Sequence, residues 1–94
     1  MRITGVIWLE EILEKIASKH RVREEEVVEL LKNEPTFRFV ESGHRPGDNV
    51  YSALGKTDAG RYLIVFFVYK MDGRALPVSA RDMSDAERKR YGRK

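Results

Sequence analysis

The sequence predicts an α+β domain: two N-terminal helices and a C-terminal helix packed on one face of an antiparallel β-sheet. Three observations carry this expectation. Apolar residues recur at helical spacing in the first third of the chain. From residue 36 to residue 79 the pattern changes to alternation and short apolar runs, separated by hairpin-length turn segments. A capping motif then opens a last, polar helix. The 94 residues suit a single domain, expected over residues 1–94. With 41% apolar residues, one two-layer core can form and a second cannot.

Each element has its own signal. Residues 3–8 (ITGVIW) form a short β-branched and aromatic run, read as a first strand. Leu9, Ile12, Leu13, Ile16 and Ala17 follow at helical spacing, so a helix is expected from Leu9 to about Lys19. Glu10 and Glu11 sit at its start and Lys19 and His20 at its end, as the helix dipole prefers. Residues 23–33 read as a second helix, with Glu24, Glu25 and Glu26 at its start and Pro35 just beyond it. Phe37, Arg38 and Phe39 alternate, marking a half-buried strand over residues 36–41. Residues 42–49 (SGHRPGDN) are a loop, and residues 50–56 a second sheet strand. Asp58, Ala59 and Gly60 turn the chain into residues 62–69, apolar on both faces and expected at the sheet's centre. Asp72-Gly73 is a hairpin signal, and residues 74–79 return, with Pro77 pointing to an edge or a bulge. Ser84 and Glu87 have capping-box spacing at the head of a helix over residues 84–91.

Composition removes several functions. Without cysteine there is no disulfide scaffold, thiolate chemistry or Cys-ligated zinc. The longest apolar run is far short of the roughly 20 residues that span a bilayer, and no signal-peptide pattern opens the chain. A cytoplasmic protein without membrane contact is expected. No glycine pattern resembles a phosphate loop, and His20 and His44 lack metal-pair spacing, so neither cofactor nor metal is expected. Charge is unevenly placed: residues 1–35 carry −2, residues 36–80 +2 and residues 81–94 +3. A basic C-terminal end suits a polyanionic partner, and it equally suits a solvated helix that keeps the protein soluble.

The candidate constellation is Arg81, Glu87, Arg90 and Tyr91, with Lys19 and His20 from the end of the first helix. Glu87, Arg90 and Tyr91 stand at i, i+3 and i+4 and share a helix face. A carboxylate, a guanidinium and a phenol on one face suit a phosphodiester, because arginine neutralises the charged phosphorane and an acid/base pair moves protons. RNA cleaved in this way needs no metal, since its 2′-hydroxyl is the nucleophile. The same residues also read as a capping Glu, an i+3 ion pair and a Tyr packed on the sheet. Lys19 and His20 likewise read as cations at a helix C-terminus, and His20 as a group that titrates near neutrality. Trp8 and Tyr51 could stack on bases, although Trp8 borders the first strand and helix as a core residue does.

The run Ser79-Ala80-Arg81-Asp82-Met83-Ser84-Asp85-Ala86-Glu87-Arg88-Lys89-Arg90-Tyr91 resembles the C-terminal signature of the BrnT toxins. These are RelE/ParE-like ribonucleases of bacterial type II toxin–antitoxin systems. Trp8 matches the family's Phe-x-Trp strand end, Lys19-His20 its Lys-His-Gly, and Gly55-Lys56-Thr57 with Gly60-Arg61-x-Leu63 its hairpin motif. The resemblance implies a RelE-like fold and an mRNA endoribonuclease that arrests growth. It implies a cognate antitoxin with a DNA-binding domain, through which alone the toxin meets operator DNA. Carried over by position, it implies Arg81 and Arg61 for phosphate and transition-state charge, Lys19 and His20 as proton carriers, and Glu87 as base or as the residue orienting Arg81. Tyr91 joins the catalytic set, and Lys56 and Arg90 the RNA-binding set. Which residue is the base stays open. The chain departs from the pattern at Leu9, usually Asp; at Arg21, usually Gly; and at Pro77, in a strand usually β-branched. Two other readings remain: a non-catalytic protein-binding module acting in antitoxin-dependent regulation, and a nucleic-acid binder that does not cleave.

Overall fold

In the computed structural model residues 1–92 are described; Arg93 and Lys94 of the basic terminus lie outside them. The elements run β1 (Gly5–Val6), α1 (Glu10–His20), α2 (Glu24–Lys32), β2 (Thr36–Glu41), β3 (Asn49–Lys56), β4 (Tyr62–Tyr69), β5 (Arg74–Asp82) and α3 (Asp85–Gly92). β2 to β5 form the expected antiparallel meander, and the sheet order is β1-β5-β4-β3-β2. The apolar run of β4 thus takes the central position. One expectation is corrected here. β1 shrinks to two residues and pairs parallel with β5, Gly5 opposite Arg74 and Val6 opposite Ala75, so the sheet is mixed. Periodicity in residues 3–8 reports an extended segment, but it does not encode which neighbour that segment finds.

The placement of the helices is the second correction, since they do not share one face. Leu63, Val65 and Phe67 of β4 and Ala53 of β3 meet Ile16, Val22, Val27 and Leu30 in the main core beneath α1 and α2. Leu54, Ile64 and Met83 point the other way and are joined by Tyr62, Phe66 and Tyr91 of α3. Side chains alternate along a strand, so a strand apolar on both faces requires cover on both. The eight residues of α3 cover only one end of the second face, and a groove remains over the rest.

Two local features set the site. Phe66 pairs with Ser79 and Phe67 with Pro77, which leaves Val78 as the extra residue of a β-bulge. Pro77 lacks an N–H, and a bulge is where a strand tolerates that. β5 also runs on to Asp82, so Arg81 lies within the strand rather than after it.

The C-terminus of α1 ends in a left-handed residue, Arg21, with φ 54° and ψ 38°. Its N–H donates to the Ala17 carbonyl, and the Val22 N–H donates to that of Ile16. Glycine takes this conformation without a Cβ clash, whereas arginine is strained there. Arg21→Gly is therefore expected to raise stability by about 0.5–1 kcal/mol, read as a higher urea midpoint at unchanged slope. A lower midpoint would show that the Arg21 side chain contributes more than its backbone strain costs.

Candidate functional site

The sequence-derived candidates fall into two clusters at one end of the sheet, where β4 begins and β5 ends. Ile64 pairs with Arg81 and Leu63 with Asp82. Alternation sends Arg81 to the α3 face and Asp82 to the face of α1 and α2.

On the α1 face the centre is Arg61. Its Nε donates to Asp82 Oδ1 at 2.9 Å, and Nη2 donates to Asp82 Oδ2 at 3.3 Å. Nη1 donates to the Arg21 carbonyl at 2.7 Å and to Glu26 Oε1 at 3.1 Å, and Nη2 to the His20 carbonyl at 2.9 Å. A guanidinium has five N–H donors, and these contacts occupy all of them. Glu26 is buried and also accepts the Arg23 N–H at 2.9 Å. Arg61 therefore ties the end of α1, the start of α2 and the end of β5 to the β3–β4 hairpin. A phosphate would reach it only by displacing these partners. The Arg61 hydrogen bond, with a smaller contribution from the charge of His20, holds the Asp82 carboxyl below its ordinary range. Lys19 is exposed and His20 half-buried beside this clamp.

On the α3 face Ser84 and Glu87 close the capping box. The Glu87 N–H donates to Ser84 Oγ at 3.2 Å, and the Ser84 N–H donates to Glu87 Oε1 at 2.8 Å. The same carboxylate accepts two parallel bonds from Arg81, Nη1 to Oε1 at 2.8 Å and Nη2 to Oε2 at 3.0 Å. Arg81, not Arg90, is thus the ion-pair partner of Glu87. The Arg81 fork, helped by the Ser84 N–H, pulls the Glu87 carboxyl from 4.5 to about 2. A carboxylate held so low is a weak base near neutrality; its geometry suits it to orient Arg81. Arg81 Cζ lies 5.6 Å from the centre of the Phe66 ring, and its Nε has no protein partner among the described residues.

A depressed carboxyl stabilises the fold above its unfolded pKa, and that contribution disappears as pH falls through the folded value. The Glu87 contribution is therefore complete above about pH 5 and lost towards pH 2. Glu87→Gln is expected to be less stable than wild type by about 1–3 kcal/mol at pH 7, with the gap closing by about pH 2. Urea unfolding at pH 7, 4 and 2 checks this, and a gap that is constant with pH would contradict it.

Beside Arg81 runs a groove of about 330 Å³ whose walls include Arg38, Ser52, Leu54, Phe66, Glu87 and Arg90. Lys56 lies 5.5 Å and Arg88 4.1 Å from the Tyr62 ring, and Tyr91 packs edge-on against the same ring at 6.0 Å. The fold therefore gathers Arg81, Glu87, Arg90, Tyr91 and Lys56 on one face. Lys19, His20 and Arg61 are gathered on the other. Trp8 packs against the main core, and His44 is exposed in its loop. Arg38 was not singled out from the sequence; an arginine between two aromatic residues on an alternating strand was the available signal. Among the described residues no group of three or more His, Asp or Glu side chains could hold a metal ion, and no helix is long and apolar enough to cross a membrane. A scan against protein-family models finds no match for this chain, and a search of curated proteins finds none either.

Proposed function

We propose that this protein is a metal-independent endoribonuclease, the toxin of a type II toxin–antitoxin pair, and that it takes RNA along the α3 face. The observation that carries the reading is Arg81, fixed by Glu87 with no partner for its Nε among the described residues, beside a groove edged by Arg38 and Arg90. Fixed guanidinium donors suit a phosphodiester, whose charge grows as the phosphorane forms. The 2′-oxygen attacks the adjacent phosphorus while the P–O5′ bond breaks, leaving a 2′,3′-cyclic phosphate and a 5′-hydroxyl. The 2′ proton leaves to a base, and the departing O5′ takes one from an acid. His20 and Lys19 are the assigned carriers. They stand at the same end of the sheet, and RNA crossing that end passes from one face to the other. Glu87 positions Arg81. The growth-arresting activity is held in check by a cognate antitoxin with a DNA-binding domain, which also links the pair to operator DNA.

A second reading, RNA binding without cleavage, is favoured by one observation: among the described residues the groove is lined by no histidine. End-labelled RNA incubated with the purified protein in EDTA separates the two. Cleavage with cyclic-phosphate ends supports the nuclease. Retention of intact RNA, weakening steeply with salt, supports the binder. RNA neither cut nor retained would sink both.

A further inference from the structure

β2 is an edge strand whose chemistry is self-complementary. Five of its six residues pair with β3, and among the described residues no strand pairs with its other side. No other hydrogen bond among the described residues involves residues 36–41. Such an edge offers a row of unpaired N–H and C=O groups. Phe39 and Val40 are 58% and 45% exposed, which is unusual for large apolar side chains standing next to each other. Arg38 and Glu41 are exposed as well, and neither has an ion-pair partner within the chain among the described residues.

The bulge at Val40 decides where these groups point. Arg38 pairs with Ser52, Phe39 with Tyr51 and Glu41 with Val50, so Val40 is the extra residue. Without it, residues 38 and 41 would lie on opposite faces. With it, both lie on the α3 face: Arg38 opposite Ser52, and Glu41 opposite Val50 two residues away. Phe39 lies on the other face, its ring 5.7 Å from that of Tyr51.

We infer that β2 is a self-association edge, and that two copies of this chain join antiparallel through it into one continuous sheet. A two-fold centred on Phe39 and Val40 sets Arg38 of each copy opposite Glu41 of the other. Both ion pairs then fall on the α3 face, and the two Phe39-Val40 pairs meet between them. Opposite-charge and aromatic cross-strand pairs are the units that stabilise an antiparallel contact. The charges also select the register, because a shift that centres the two-fold on Arg38 sets arginine against arginine. Charged edges usually deter pairing; here one register alone sets both charges of each strand against opposite ones. In the joined state the grooves beside Arg38 of the two copies lie next to each other along a common sheet. This inference does not depend on the nuclease reading.

Sedimentation velocity of the full chain from about 10 µM to about 1 mM tests it. Wild type is expected to pass from monomer to dimer across this range. Arg38→Glu and Glu41→Arg, each alone, turn two attractive contacts into two repulsive ones and should weaken dimerisation by about tenfold or more. The double variant R38E/E41R restores opposite charges in reversed order and should recover most of the loss. Phe39→Asp should stay monomeric while its thermal midpoint remains within about 3 °C of wild type. A wild type that is monomeric throughout overturns the inference. So does a double variant weaker than either single variant, because that places the association elsewhere.

Discussion

Arg61→Ala is expected to lower folding stability by about 2–4 kcal/mol. The side chain reaches four acceptors on three elements: the carbonyls of His20 and Arg21, and the carboxylates of Glu26 and Asp82. Asp82 is mostly exposed, so its pairing contributes little. Glu26 is different, with a side chain only 10% exposed. Removing Arg61 leaves this buried carboxylate with the Arg23 N–H and a distant, exposed Arg23 guanidinium. It also leaves two helix-end carbonyls without a donor among the described residues. Arg61→Lys keeps the charge but not the planar fork, so it should recover less than half of the loss. Urea unfolding at pH 7 reads both variants. If Arg61 were a free phosphate ligand, its removal would change stability by no more than about 0.5 kcal/mol. Such a result would show that the clamp contributes nothing in solution.

The behaviour of Arg61 bears on what the sequence made legible. The local elements were readable because each has a local cause. The apolar run over residues 62–69 became the central strand, the spacing of Ser84 and Glu87 became a capping box, and Pro77 met a bulge. The hairpin motif has a structural reason at every position. A Cβ on Gly55 would press against Leu30 and Pro35, and Gly60 holds φ 90°. The Thr57 hydroxyl accepts the Arg61 N–H, and Leu63 is fully buried. A pattern read from the sequence as a family resemblance is here also what the fold requires, and one sequence does not separate the two. What could not be read depends on non-local geometry. The parallel partner of β1, the opposite faces taken by Arg81 and Asp82, and the choice of Arg81 over Arg90 by Glu87 all follow from register across strands far apart in the chain. Helical spacing put Glu87 and Arg90 on one face correctly, but it said nothing about a third residue arriving from β5.

Arg81→Ala is expected to reduce RNA cleavage by about 100-fold or more, the usual loss when one preorganised donor to a developing oxyanion is removed. Arg81 suits that role because its orientation is set before any substrate arrives. Glu87 grips two of its donors, the Asp82 carbonyl accepts a third contact at 3.0 Å, and the Phe66 ring lies beneath the guanidinium. Arg81→Lys retains the charge without the fork, so it should bind RNA nearly as well and cleave it at least about tenfold more slowly. Arg90→Ala is the complementary case. Arg90 is an exposed groove residue, and its loss should weaken RNA binding, lower the salt dependence by about one phosphate contact and leave the maximal cleavage rate near wild type. Removing Arg81 also frees Glu87, so a fall in melting temperature is expected in the same variant. Glu87→Gln separates the two effects. It keeps the cap's shape and the Arg81 charge but loosens the fork, so its cleavage should drop although the guanidinium is still present. If Glu87→Gln cuts RNA at the wild-type rate while Arg81→Ala does not, Arg81 acts without being held, and the positioning role given to Glu87 is wrong. If Arg81→Ala itself cleaves at the wild-type rate, the chemistry belongs to the Lys19 and His20 side of the sheet.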